Sequence, residues 1–239
     1  MIHLKTWILL FTLSFTLGSS VSGAPQDTLD HFPNYRIQGG TPTFKNAFID
    51  QIQYPRTALN QGIMGTSLVS LTITPAGTIA DFRIITSLGE VVDEALKSVI
   101  PQTEKDWLAD SLETRDLTFI VAFTFLIDGY TFMRNSKVSS QIVTCEVPIV
   151  EYGGTNARIR DDTYHIEHAN RLYQGEKYSK AIDHLDELIR RDPFNRELYL
   201  MRGFCQFKLN NPDAACRDFQ RIRMLLHQSV PHTLEEQCS

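Results

Sequence analysis

Two short alternating runs joined by a tight turn limit this chain more than any other feature. In the stretch Ser67 to Gly89, SLVSLTITPAGTIADFRIITSLG, Val69, Leu71 and Ile73 alternate with Ser70, Thr72 and Thr74, and after the break Ala80, Phe82 and Ile84 alternate with Asp81 and Arg83. A period of two is that of a strand with one buried face. Pro75 presets the turn dihedral, and Gly77 accepts positive φ without a Cβ clash. The stretch is therefore a hairpin, and a hairpin alone buries too little to stand in water.

Its partners lie just downstream. Val92, Ala95, Leu96, Val99 and Ile100 recur at three- and four-residue intervals, which predicts a helix whose apolar stripe covers one hairpin face. Leu117 to Ile127 predicts a third strand, with Phe119, Val121, Phe123, Phe125 and Ile127 on one side. The expected unit is a small antiparallel sheet with helices, the first half of an α+β chain. The strand-like run SSQIVTCEVPIV follows, to extend the sheet or lead onward.

The N-terminus sets the compartment. Lys5, an apolar run from Trp7 to Leu17, and the small residues Ser22, Gly23 and Ala24 before Pro25 follow the order of a secretory signal. The run gives way to Gly18-Ser19-Ser20 after about a dozen residues, whereas a membrane span takes ~20. Residues 1–24 read as a signal peptide, with retention as an inner-membrane anchor the alternative; only retention brings membrane contact. Either way the remainder is expected in the periplasm. Residues 25–43 read as a linker, 44–157 as the sheet unit and 158–239 as a helical region. Residues 25–157 carry 9 Lys and Arg against 15 Asp and Glu, while 158–239 carry 13 of each. No basic face emerges, so no nucleic-acid partner is expected.

At this point the residues carry a resemblance. The ordered set Tyr54, Pro55, Ala58, Gly62, Gly65, Gly77, Ser87, Gly89, Asp93, Ala95 and Val99, with Trp107 beyond it, resembles the C-terminal domain of the TonB family. Several of these residues also have a plain structural role, since Pro55 opens a helix, Gly62 ends it and Gly65 starts a strand. The resemblance implies a periplasmic binding module that pairs its sheet edge with an extended peptide of an outer-membrane transporter, main-chain hydrogen bonds supplying grip and alternate side chains selectivity. On that basis Thr118, Ile120, Ala122 and Thr124 of the third strand are candidate partner-binding residues. The alternative reading is an anchored energy transducer, coupling an inner-membrane motor to outer-membrane transport. The chain departs from the family in having only about thirty residues and three prolines between the signal-like start and Tyr54, and LADSLETRD after Trp107 in place of a Pro-rich stretch.

From Asp162 the alternation ends and self-similarity appears at 34 residues: Tyr199 follows His165, Gly203 follows Ala169, Ala215 follows Ala181, and Phe219 follows Leu185. That period resembles the tetratricopeptide repeat. Two repeats are expected, near 162–194 and 196–227, with a tail that adds a capping helix; the first is read as loosened by an extra residue in QGEKYSKA. Two repeats rarely bury their own core, so they are expected to pack on the sheet unit or on a partner. The resemblance assigns Ile166, Asn170, Tyr173, Leu200, Phe204 and Phe207 to a concave face, a groove for a protein partner or a surface covered by the neighbouring unit.

Signs of chemistry are few. No nucleophile elbow, phosphate-cradling loop or calcium loop occurs, and no cofactor, metal or catalytic residue is expected. His165 and His168, three apart on a predicted helix, are in an order unlike that of zinc proteases. Asp93, Glu94, Asp161 and Asp162 read as helix-start charges and solvated faces. Four cysteines allow three full pairings. Cys205 falls at a packing position and is read as a buried thiol, while Cys216 and Cys238 are the expected disulfide.

The third strand would be a docking edge in the TonB family. Here the chain continues through Asp128-Gly129, a dipeptide suited to a two-residue hairpin turn. Residues 130–136 are therefore expected to fold back antiparallel and cover that edge, the alternative being a loose linker over 128–157 that leaves it free.

Overall fold

The computed structural model describes residues 29–130, 136–139, 141–149 and 158–238. The signal-like start lies outside them. Among the described residues no helix is long and apolar enough to cross a membrane.

The first unit is a four-stranded mixed sheet in the order β2-β1-β3-β4, made by β1 (Gly65–Ile73), β2 (Ile79–Thr86), β3 (Leu117–Ile127) and β4 (Val143–Ile149). β1 pairs antiparallel with β2 and β3, and β4 joins β3 in parallel. The expectation of a purely antiparallel sheet is corrected by this last pairing. Gly77 takes φ +85 in the β1–β2 turn, where a Cβ would stand 2.9 Å from the Trp107 carbonyl oxygen.

One sheet face carries Val69, Leu71, Ile73, Phe119, Val121, Phe123 and Phe125, all buried. Three helices enclose it: α1 (Gly40–Gln51) through Phe44 and Phe48, α2 (Arg56–Asn60) through Ala58 and Leu59, and α3 (Glu90–Val99) through Val92, Leu96 and Val99. Each such large side chain removed from water contributes ~1.5–3 kcal/mol. Trp107 lies 5.5 Å from Phe119 and 5.6 Å from Phe44, ring centroid to ring centroid.

The stretch before α1 is not a free linker. Arg36 and Ile37 are buried, and the Arg36 guanidinium donates to the carbonyls of Leu108, Thr74 and Pro75. Three carbonyls stand in for a carboxylate, and they tie this segment to the hairpin turn.

The second unit is helical: α4 (Asp162–Gln174), α5 (Tyr178–Arg191), α6 (Arg196–Lys208), α7 (Pro212–Leu226) and the short α8 (His232–Glu235). Helix starts recur at 34 residues, 162 with 196 and 178 with 212, and Glu176 and Asn210 share positive φ in the intervening turns. Both turns hold the same number of residues, so the extra residue expected in QGEKYSKA is not there. At Gly203 a Cβ would meet the Phe219 ring at 2.5 Å, which is why α6 and α7 approach so closely there.

These helices lie on the second face of the sheet. Leu68, Ile120 and Ala122 form one buried cluster with Ile142, Phe194 and Leu225. The hairpin alternation implies one wet face, but β1 and β3 are covered on both sides.

Candidate partner-docking surfaces

The outer edge of β3 is closed along its length by the chain itself. At its start the Asp30 amide donates to the Thr118 carbonyl at 2.7 Å, and the Thr118 amide donates to the Asp30 carboxylate at 2.8 Å. Arg115 holds that carboxylate with two further bonds, at 2.6 and 3.0 Å. Burial pushes the Asp30 carboxyl up, but Arg115 and the Thr118 amide together outweigh it and hold the group below its ordinary value. From Val121 to Ile127 the edge pairs with β4, Val121 beside Val143 and Ile127 beside Ile149.

The sequence pattern assigns this cover to residues 130–136. Residues 131–135 lie outside the described residues, and the place beside β3 belongs to β4. Gly129 does take φ +81 in a turn after β3, but a two-residue hairpin cannot produce a parallel neighbour. The alternative of a free edge is overturned by the same pairing.

Three of the four candidate residues of the third strand are interior. Ile120, Ala122 and Thr124 are buried and Thr118 is half-buried. Thr118 and Thr124 hydroxyls bond Thr72 and Thr66 of β1, each at 3.0 Å. Thr118 and Ile120 line a cleft of about 530 Å³ between the sheet and α7, where Arg217, Gln220 and Met224 form the facing wall. The strand with one side unpaired in the antiparallel part of the sheet is β2, whose Asp81 and Arg83 are exposed and paired at 2.8 Å.

The six helical residues divide. Ile166, Asn170 and Phe204 are exposed, whereas Tyr173 and Phe207 are half-buried against Tyr178 and Phe219. Leu200 is buried in a cluster with Val230 and Leu234 of the C-terminal tail. Cys216 and Cys238 are joined in a disulfide, Cα to Cα 5.5 Å, which holds that tail on α7.

Of the titratable groups, His165 and His184 meet Nδ1 to Nδ1 at 3.1 Å, and His168 stacks on Tyr164. Burial lowers the basicity of both paired imidazoles, with Arg191 adding to the effect at His165 and His168 at His184. No group of three or more metal-ligating side chains is arranged to hold an ion among the described residues. Asp161 caps α4 by accepting from the Tyr164 amide, Asp93 accepts from Ser87, and Glu94 pairs with Lys97. Asp162, read with the others as a helix-start charge or part of a solvated face, does open α4 but is buried and 2.6 Å from Arg191. Cys145 and Cys205 are buried free thiols, raised by burial to about 12 and about 11, so neither is a nucleophile at neutral pH.

Residues 50–125 match the family model of the Gram-negative bacterial TonB protein C-terminal, which spans α2, the hairpin, α3 and β3 but not β4 or the helical unit. Comparison with curated proteins and with solved structures finds no match to the chain.

Proposed function

We propose that this chain is a non-enzymatic binding protein of the bacterial envelope, a TonB-type domain whose sheet edge is self-occupied and whose partner is recognised by the helical unit. The closed β3 edge is the observation that carries this reading. A peptide adding to β3 would first have to displace Asp30 and β4, whereas Ile166, Asn170 and Phe204 are already in water. The 34-residue recurrence of helix starts supports reading the unit as two tetratricopeptide-type repeats with a capping tail. The partner class is an envelope protein, with outer-membrane transporters the group the TonB match favours.

A periplasmic location is supported by the signal-like start, by the matched domain and by the Cys216–Cys238 bond, which suits an oxidising compartment. Sequencing the N-terminus of the envelope-localised protein checks it: a start at Pro25 excludes the anchored transducer, and a retained residue 1–24 segment restores it.

Photo-crosslinkers at Asn170 and Phe204, with Arg83 as control, test the binding route in the envelope. Adducts at the first two with a protein identified as an envelope component, the Asn170 adduct being lost in the Ile166→Ser, Phe204→Ser double variant, support the reading. Tight binding of a transporter-derived extended peptide to β3 of the unaltered chain overturns it.

A further inference from the structure

A second recess lies where the sheet unit meets the first helix pair. It encloses about 430 Å³ between the α2–β1 turn and the ends of α4 and α5, and four arginines border it: Arg158, Arg160, Arg190 and Arg191. Two of these are already answered. Arg190 pairs with Glu187, and Arg191 is held by Glu187 at 2.9 Å and Asp162 at 2.6 Å. Arg158 and Arg160 have no carboxylate partner among the described residues; Arg160 rests over the Tyr164 ring, 4.8 Å from its centroid. Asp161 lies between Arg160 and Asp162 in sequence but spends its carboxylate on the α4 amide.

The opposite wall is apolar, formed by Ile63, Met64 and Leu88. Its position is set by a close approach of the start of β1 to the end of α5. At Gly65, φ +145, a Cβ would come within 2.5 Å of the Arg190 carbonyl oxygen.

We propose that this recess is a binding site for a phosphomonoester, the dianionic phosphoryl group taken by Arg158 and Arg160 and its organic body laid on Ile63, Met64 and Leu88. Glu187 and Asp162 neutralise Arg190 and Arg191, so two positive charges are left, which a monoanionic carboxylate would only half satisfy. Guanidinium forks match phosphoryl oxygens two at a time, so two free arginines serve one such group. The site is separate from the exposed face of α4 and α6 proposed for the protein partner.

Titration calorimetry on the full chain tests the assignment, with phenyl phosphate as probe and benzoate as the monoanionic control. Phenyl phosphate is expected to bind more tightly than benzoate. The Arg158→Ala, Arg160→Ala double variant should weaken it at least about tenfold, the loss of charge-assisted bonds, while Arg83→Ala leaves it unchanged. Both altered arginines are exposed, and circular dichroism checks that the fold persists. Flotation with vesicles containing or lacking phosphatidic acid separates two sources of the same chemistry: binding to the phosphatidic acid vesicles alone assigns a lipid headgroup, and binding to phenyl phosphate a soluble ester. No binding to either, or equal binding by the double variant, overturns the proposal.

Discussion

Asp30 and Thr118 exchange two hydrogen bonds across 88 residues of sequence, amide to carbonyl at 2.7 Å and amide to carboxylate at 2.8 Å, so the N-terminal segment is tied to the start of β3. Just beyond, Val121 pairs with Val143 of β4. The edge that would otherwise admit a foreign strand is therefore filled by two separate pieces of the same chain.

Hydrogen exchange on the free protein should find the β3 amides that face β4 slow, without any added peptide. Fast exchange there, reversed only by a transporter peptide, would show that the edge is open in solution and remove the self-occupied reading.

Asp30→Ala should destabilise the protein by about 1–3 kcal/mol, because the half-buried Thr118 amide loses a charged acceptor. The Asp30 carboxyl is held below its ordinary value, so its contribution is present above the unfolded carboxylate range and fades as pH falls through the folded value. Thermal melts of wild type and variant should consequently differ at neutral pH and converge under acid. A gap unchanged by acid would mean that the charge has no part in it.

The histidine pair has the opposite chemistry and the same direction of effect. His165 and His184 are both less basic than a free imidazole in the folded protein, so the unfolded chain takes up more protons below about pH 6.5 and stability falls there. Glu187 and Asp162 act against this at His165, and Arg191 acts with it. In the His165→Gln, His184→Gln variant the melting temperature should change less between about pH 7 and 5 than in the parent. Equal slopes would sink the account.

Gly203→Ala should lower stability by about 1–3 kcal/mol through overpacking, since the new methyl meets the Phe219 ring at 2.5 Å. Phe194→Ala acts at the other contact of the helical unit, its seat against Leu68 and Ile120, and should cost ~3–5 kcal/mol. Denaturant melts decide both, and a neutral Phe194→Ala would mean that the two units are held together by something else.

Breaking the Cys216–Cys238 link by the Cys238→Ser change frees the tail that covers Leu200. Loop closure over such a span contributes roughly 3 kcal/mol in the chain-entropy view. Limited proteolysis should then cut after His227 sooner than in the parent, while the sheet unit stays intact. Identical cleavage rates would show that Val230 and Leu234 alone hold the tail.

Much of this architecture is legible from residue spacing. The alternation of Val69, Leu71 and Ile73 and of Phe119, Val121 and Phe123 specifies two strands and which side faces the main core, and the 34-residue spacing of Ala169 with Gly203 and Ala181 with Ala215 specifies two like helix pairs. Such periods are local, since each residue's direction follows from its neighbours along the chain. What the strands lie beside is not local. VTCEVPI reads equally well as an antiparallel or a parallel neighbour, and only the folded chain sets it parallel to β3. The same holds for Asp162, a plausible surface charge until Arg191 arrives from 29 residues away, and for Thr118 to Thr124, whose exposure depended on where the helices came to rest. Pairing and burial are settled by which surfaces meet once loop entropy and apolar area are balanced over the whole chain, and no window of sequence contains both members of the pair.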